Sequence, residues 1–105
     1  QHQAIQFMLA DMKTKIEASR AVTWKSAWQA DNGIRNTESA AHAKRFAADT
    51  AMEVTTDAVQ VFGGYGYSEE YPVARLMRAA KVMQIYEGSS QVQRMIIGRE
   101  IVRNL

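Results

Sequence analysis

Apolar residues recur at helical rather than strand spacing along nearly the whole chain. Ile5, Met8, Met12 and Ile16 follow one another at steps of three and four, and Phe7, Leu9, Val22, Trp24 and Trp28 widen the same surface. This pattern predicts one long amphipathic helix over residues 1–31. Asp31-Asn32-Gly33 supplies its stop, since Asn and Gly tolerate the left-handed backbone that closes a helix. Asn36 or Thr37 then caps a second helix that reaches Phe62. Its inward stripe is small: Ala40, Ala43, Ala47, Ala51, Val54, Ala58 and Val61, with Phe46 as the main bulky member. Small residues let helix axes approach closely. Gly63-Gly64-Tyr65-Gly66 opens a loop running to Glu70, and Pro72 suits the first turn of a third, shorter helix. That helix is expected to turn Leu76, Met77 and Val82 inward and Arg75, Arg78 and Lys81 outward. A fourth helix spans residues 90–102, with Val92, Met95, Ile96 and Val102 toward the core. Nothing alternates at period two. The predicted fold class is all-α, an antiparallel helical bundle.

Composition narrows the function. At 105 residues the chain is one domain at most. One proline and six glycines among abundant helix formers agree with the helical reading. A net charge of +2, from 13 basic and 11 acidic residues, is too balanced for a nucleic-acid binder. No apolar stretch approaches the roughly 20 residues of a membrane span. Zero cysteines removes disulfides and thiolate metal sites and fits a reducing compartment. Position 1 is Gln, and helical periodicity starts there with no capping residue ahead. The chain is therefore expected to be a piece of a longer polypeptide.

The candidate chemistry centres on Tyr86-Glu87-Gly88-Ser89-Ser90-Gln91-Val92-Gln93-Arg94. Ser89 or Ser90 can cap the helix that follows, so residues 86–88 form an exposed corner. A carboxylate at such a corner, flanked by Ile85, Tyr86 and a glycine, is either a partly desolvated base or a solvated residue beside a helix N-terminus. Gly63-Gly64-Tyr65-Gly66 also has more than one meaning. It lacks the third glycine of a dinucleotide fingerprint and follows a helix rather than a strand. Its bland reading is a helix-ending turn that needs positive φ. Glu38 and His42 lie at i,i+4 and read as a surface pair rather than a metal site. Trp24 and Trp28 read as core or subunit packing.

Gln84-Ile85-Tyr86-Glu87-Gly88-Ser89-Ser90-Gln91-Val92-Gln93-Arg94 closely resembles the C-terminal signature of the acyl-CoA dehydrogenases. Asp57-Ala58-Val59-Gln60-Val61-Phe62-Gly63-Gly64-Tyr65-Gly66-Tyr67 and Glu70-Tyr71-Pro72-Val73-Ala74-Arg75-Leu76-Met77-Arg78 agree with the same family in order and spacing. The resemblance spans essentially all 105 residues. It implies part of a C-terminal four-helix-bundle domain, with the preceding helix, the β-domain and the N-terminal helical domain outside residues 1–105.

The resemblance also implies a reaction: dehydrogenation of an acyl-CoA thioester to the trans-2-enoyl-CoA, with FAD as cofactor, as in β-oxidation of fatty acids. Glu87 stands where the short-chain, medium-chain and short-branched-chain members carry the base that removes the α-proton. Such a proton is weakly acidic, so the site must desolvate the base and stabilise charge on the thioester oxygen. In the family the backbone N–H of the base is one donor to that oxygen. Tyr86 and Gly88 are implied in substrate contact, and Ser89, Ser90 and Gln91 on the adenosine side of FAD. Gln60, Val61, Phe62, Gly63 and Gly64 correspond to a contact with FAD held by a neighbouring subunit, and His2 and Gln3 to residues near the flavin. Many members have Thr where this chain has Ser89. Implied partners are the acyl-CoA substrate, further copies in a homodimer or homotetramer, and electron-transferring flavoprotein as acceptor. The implied location is the bacterial cytoplasm or the mitochondrial matrix. The competing reading is a non-catalytic helical module for oligomerisation or partner binding.

Overall fold

A computed structural model describes residues 2–105, and among them the regular structure is helical throughout. Helix α1 covers Gln3–Asp31, α2 Thr37–Phe62, α3 Gly64–Tyr67, α4 Pro72–Met83 and α5 Ser90–Arg103. Among the described residues the expected boundaries hold to within two residues, except that the loop after Phe62 contains the one-turn α3; the expected helix start at residue 1 lies outside them. Their punctuation has identifiable causes. Gly33, at φ 67°, ends α1, and the Asn32 side chain donates to the Trp28 carbonyl at 2.8 Å. Asn36 sits at the start of α2 but makes no side-chain cap; its amide instead donates to the Ser26 carbonyl across the hairpin at 3.2 Å. Pro72 occupies the first turn of α4. Gly66 is required by a close approach: a Cβ there would stand 2.5 Å from the Val59 carbonyl oxygen, which as backbone cannot give way.

Helix α2 is the central rod. It packs against every other helix, whereas α1 touches α2 alone. Lys15 to Glu53 and Ser39 to Gln29 tie α1 and α2 as an antiparallel hairpin. On the other flank α4 and α5 both run antiparallel to α2, one after the other. Phe62 and Tyr65 pack at steep ring angles against Tyr71 at the start of α4, and Arg35 pairs with Glu100 near the end of α5. The turn between α4 and α5 therefore meets α2 near its middle. The outcome is three antiparallel rows, 48 × 28 × 24 Å in extent. The radius of gyration is 16.2 Å, against about 13 Å for a compact chain of this length.

The core is thin, and here several expectations fail. Only Ala41, Ala48, Ala80 and Ile97 are buried apolar residues among those described. Ala40 is exposed; the closest face of α2 runs through Ala41 and Ala48 instead. Phe7, Leu9, Trp24 and Trp28 lie open on α1, and Phe46 on α2, because α1 has a neighbour on one side only. Leu76 and Val82 on α4 are likewise exposed, as are Val92, Met95 and Val102 on α5. The residues that α5 turns inward are Ser90, Gln93, Ile97 and Glu100. That stripe is mostly polar, so the apolar face of α5 points away from α2.

Candidate active site

The turn joining α4 to α5 is built around a backbone reversal. Glu87 has φ 53°, the left-handed region that non-glycine residues seldom enter, and is the only such residue among those described. Gly88 follows at φ 88°, and a Cβ on it would meet the Gln93 side chain at 2.6 Å. Two successive left-handed residues swing the chain round so that Glu87 projects at the tip. The Ser90 N–H reaches back to the Gln84 carbonyl at 3.0 Å and closes the loop. Ser89 is the helix cap: its hydroxyl accepts from the Val92 N–H at 3.2 Å.

Side chains from α2 and α5 fasten this turn. Asp49 Oδ1 accepts from both Gln84 Nε2 and Ser90 Oγ, each at 2.8 Å, linking the two stems of the turn to the central helix. Gln93 Nε2 donates to the Gly88 carbonyl at 3.3 Å. Lys44 donates to the carbonyls of Met83 and Gly88, with its ammonium 5.8 Å from the centroid of the Tyr86 ring. Among the described residues no carbonyl accepts from the Glu87 N–H.

Clefts open on both sides of the turn. One, of about 200 Å³, is lined by Lys44, Ala47, Ala48, Met83 and Tyr86. The other, of about 440 Å³, is lined by Arg45, Lys81 and Arg94 together with Asp49, Ser90 and Gln91. The first is small and mainly apolar; the second is polar and rich in cations. A further depression of about 410 Å³ between α1 and α2 contains none of the expected site residues.

The fold gathers the expected residues into two zones rather than one. Tyr86, Glu87, Gly88, Ser89, Ser90 and Gln91 share the α4–α5 turn, with Ser90 buried, Gly88 and Ser89 half-buried and the others exposed. Glu87 is exposed because no helix among the described residues covers the tip of the turn. Gln60, Phe62, Gly63 and Gly64 are exposed at the far end of α2, with Val61 half-buried. The antiparallel register of α1 on α2 carries His2 and Gln3, both exposed, toward that same end. Asp49, which fastens the turn, precedes Gly63 by 14 residues of sequence. At 1.5 Å per residue the two zones are about 20 Å apart along α2.

Lys44, Asp49, Gln84 and Gln93 are site-building residues that the sequence reading did not single out. For Lys44 a signal existed: it falls in step with Ala40, Ala47 and Ala51, a charge in a row of small residues. Glu38 and His42 form the expected pair, at 3.4 Å.

Comparison with known proteins identifies relatives of the chain. The family profile described as acyl-CoA dehydrogenase, C-terminal domain, matches residues 1–102. Cyclohexane-1-carbonyl-CoA dehydrogenase from Geobacter metallireducens is 53% identical over 98% of this chain, which spans 27% of that protein. The structure of butyryl-CoA dehydrogenase from Megasphaera elsdenii superposes with TM-score 0.96 at 57% identity, covering 98% of this chain and 27% of its own. A structure described as an electron transferring flavoprotein of Acidaminococcus fermentans, studied for flavin-based electron bifurcation, superposes at TM-score 0.96 and 55% identity over 98% of this chain and 27% of its own. An FAD complex of PigA matches at TM-score 0.94 and 26% identity, over 100% of this chain and 27% of its own. The chain thus spans about a quarter of the length of these proteins.

Proposed function

Because this chain belongs to the acyl-CoA dehydrogenase family, we propose that it serves FAD-dependent dehydrogenation of an acyl-CoA thioester to the trans-2-enoyl-CoA. In this reading it supplies the catalytic base and a flavin contact across a subunit boundary. The observation that carries the proposal is the Glu87 turn, where an exposed carboxylate and an uncommitted N–H of the same residue stand together at the tip. A base must reach the α-proton, and a donor must face the thioester oxygen on which charge accumulates. One left-handed residue offers both groups to the same substrate.

The residues fit a bound flavin. Gly63 and Gly64 are exposed, and a Cβ at Gly64 would meet nothing within 4 Å, so backbone there is open to a phosphate. A bound FAD would supply the acceptor for the hydride that leaves the β carbon. Glu87 would take the α-proton, Tyr86 and Gly88 would border the acyl-thioester, and Ser89, Ser90 and Gln91, beside the cationic cleft, would hold the cofactor's adenosine side. The separation of about 20 Å along α2 supports two different flavin contacts: residues 89–91 with one FAD, and His2, Gln3, Gln60, Val61, Phe62, Gly63 and Gly64 with a neighbour's. That arrangement requires a homodimer or homotetramer. The flavin-cradling β-domain, the N-terminal helical domain and one further bundle helix would come from sequence beyond residues 1–105. Electron-transferring flavoprotein is the proposed acceptor, and a bacterial cytoplasm or mitochondrial matrix the proposed setting.

The exposed apolar faces of α1 and α5 favour a second reading, a non-catalytic oligomerisation or partner-binding module. Glu87→Gln in the full-length protein separates the two. The change is nearly isosteric and removes basicity, so turnover should fall by several orders of magnitude while FAD content and acyl-CoA binding persist. Near-normal flavin reduction by substrate in that variant would exclude Glu87 as the base.

A further inference from the structure

Lys44 is a long charged side chain placed among alanines where α2 meets the α4–α5 turn. Its ammonium carries three donors and no acceptor. One donor goes to the carbonyl of Met83, the last residue of α4, where the helix dipole favours a cation. Another goes, at 3.4 Å, to the carbonyl of Gly88, and the Tyr86 ring lies 5.8 Å away. These partners bracket Glu87: one in the stem before it, one immediately before and one immediately after. The bracketed residue is the single non-glycine with positive φ among those described. Backbone of that kind persists only where its surroundings over-determine it.

We propose that Lys44 is a positioning residue of the Glu87 turn. By tying the end of α4 to the Gly88 carbonyl it keeps Glu87 left-handed, and so sets where the carboxylate and the N–H stand. Asp49 cannot do this alone, because it holds only the side chains of Gln84 and Ser90. Gln93 shares the Gly88 carbonyl at 3.3 Å but reaches it from α5, so Lys44 makes the tie between that carbonyl and the end of α4. The inference rests on Glu87 being the base.

The test compares Lys44→Met, Lys44→Arg and Glu87→Gln in the full-length flavoprotein. Methionine keeps a long apolar stem without donors, and arginine restores charge and donors. Lys44→Met should lower kcat about 100-fold, the scale of a misplaced catalytic group, with KM within about threefold of the parent. Amides of residues 84–90 should exchange with deuterium about tenfold faster, and those of α1 at the parent rate. FAD content and the melting midpoint should stay at the parent values, and Lys44→Arg should recover most of the lost kcat. An unchanged kcat in Lys44→Met overturns the proposal, as does a loss that merely follows lost FAD or a lowered melting midpoint. If Lys44→Met does not fold, Lys44→Gln takes its place; failure of both marks Lys44 as a fold residue and also overturns it. Should Glu87→Gln retain turnover, the base assignment falls, and the exchange rates alone decide whether Lys44 holds the turn.

Discussion

At the scale of single residues, one carboxylate oxygen ties the two stems of the turn to the central helix. Asp49 Oδ1 accepts two donors at 2.8 Å, one from each side of the reversal, and the Ser90 end of this clasp is buried. Removing the acceptor strands both donors, and a part-buried unpaired polar group costs about 1–3 kcal/mol. Asp49→Ala should therefore lower the unfolding free energy by about that amount, measured by denaturant titration. Asp49→Asn can keep a carbonyl oxygen at the same place and should lose less than half as much. Equal losses in the two variants would mean that the negative charge, not the shared acceptor, is what matters. The sequence hid this residue for a physical reason. Asp49 reads as an ordinary polar position on a helix surface, and its partners lie 35 and 41 residues away. Glu87, Gly88 and Ser89 were legible because local rules govern them: a cap, a glycine and a break in periodicity.

At the scale of elements, boundaries were legible and faces were not. Caps and breakers are local, so Gly33, Pro72 and Ser89 mark helix ends in the sequence as they do in the fold. Which side of a helix turns inward depends on its neighbours. On α5 the stripe of Ser90, Gln93, Ile97 and Glu100 meets α2, and Arg35 satisfies the buried Glu100 with a two-pronged hydrogen bond at 3.1 Å. Reading Val92, Met95 and Val102 as core-facing assumed that the apolar side must meet the nearest helix. The segment after α2 gives an element-level prediction. Since a Gly64 Cβ would meet nothing within 4 Å, Gly64→Val should change the melting of the flavin-free protein by less than about 1 kcal/mol, the scale of helix propensity differences. If backbone there approaches a neighbour's pyrophosphate, the same variant should lose FAD on gel filtration. Full retention of flavin would remove Gly63 and Gly64 from the proposed contact.

At the scale of the whole molecule, the surface is too large for the mass. The chain exposes 7566 Å² at 11.8 kDa, whereas a compact monomer of that mass exposes about 5,900 Å². The surplus of about 1,600 Å² is about twice what one partner buries in a standard protein–protein interface. Much of the exposed surface is apolar: Trp24 is 66% exposed, Trp28 59%, Met95 64% and Val102 69%. A four-helix bundle would cover such faces with a further helix, and a homo-oligomer would cover them with another subunit. Residues 1–105 on their own should thus be helical yet self-associating, with a broad thermal transition and no appreciable FAD binding. Sedimentation velocity over a range of concentrations, together with melting by circular dichroism, checks this directly. Sedimentation coefficients that rise with concentration are the expected result, since water is a poor solvent for Trp24 and Trp28 side by side on one helix. A sharp melt of a monomer would mean that three rows of helices with a four-residue apolar core stand alone. In that event these faces would be evolved surface rather than uncovered core, and the non-catalytic binding module would become the better account of the chain.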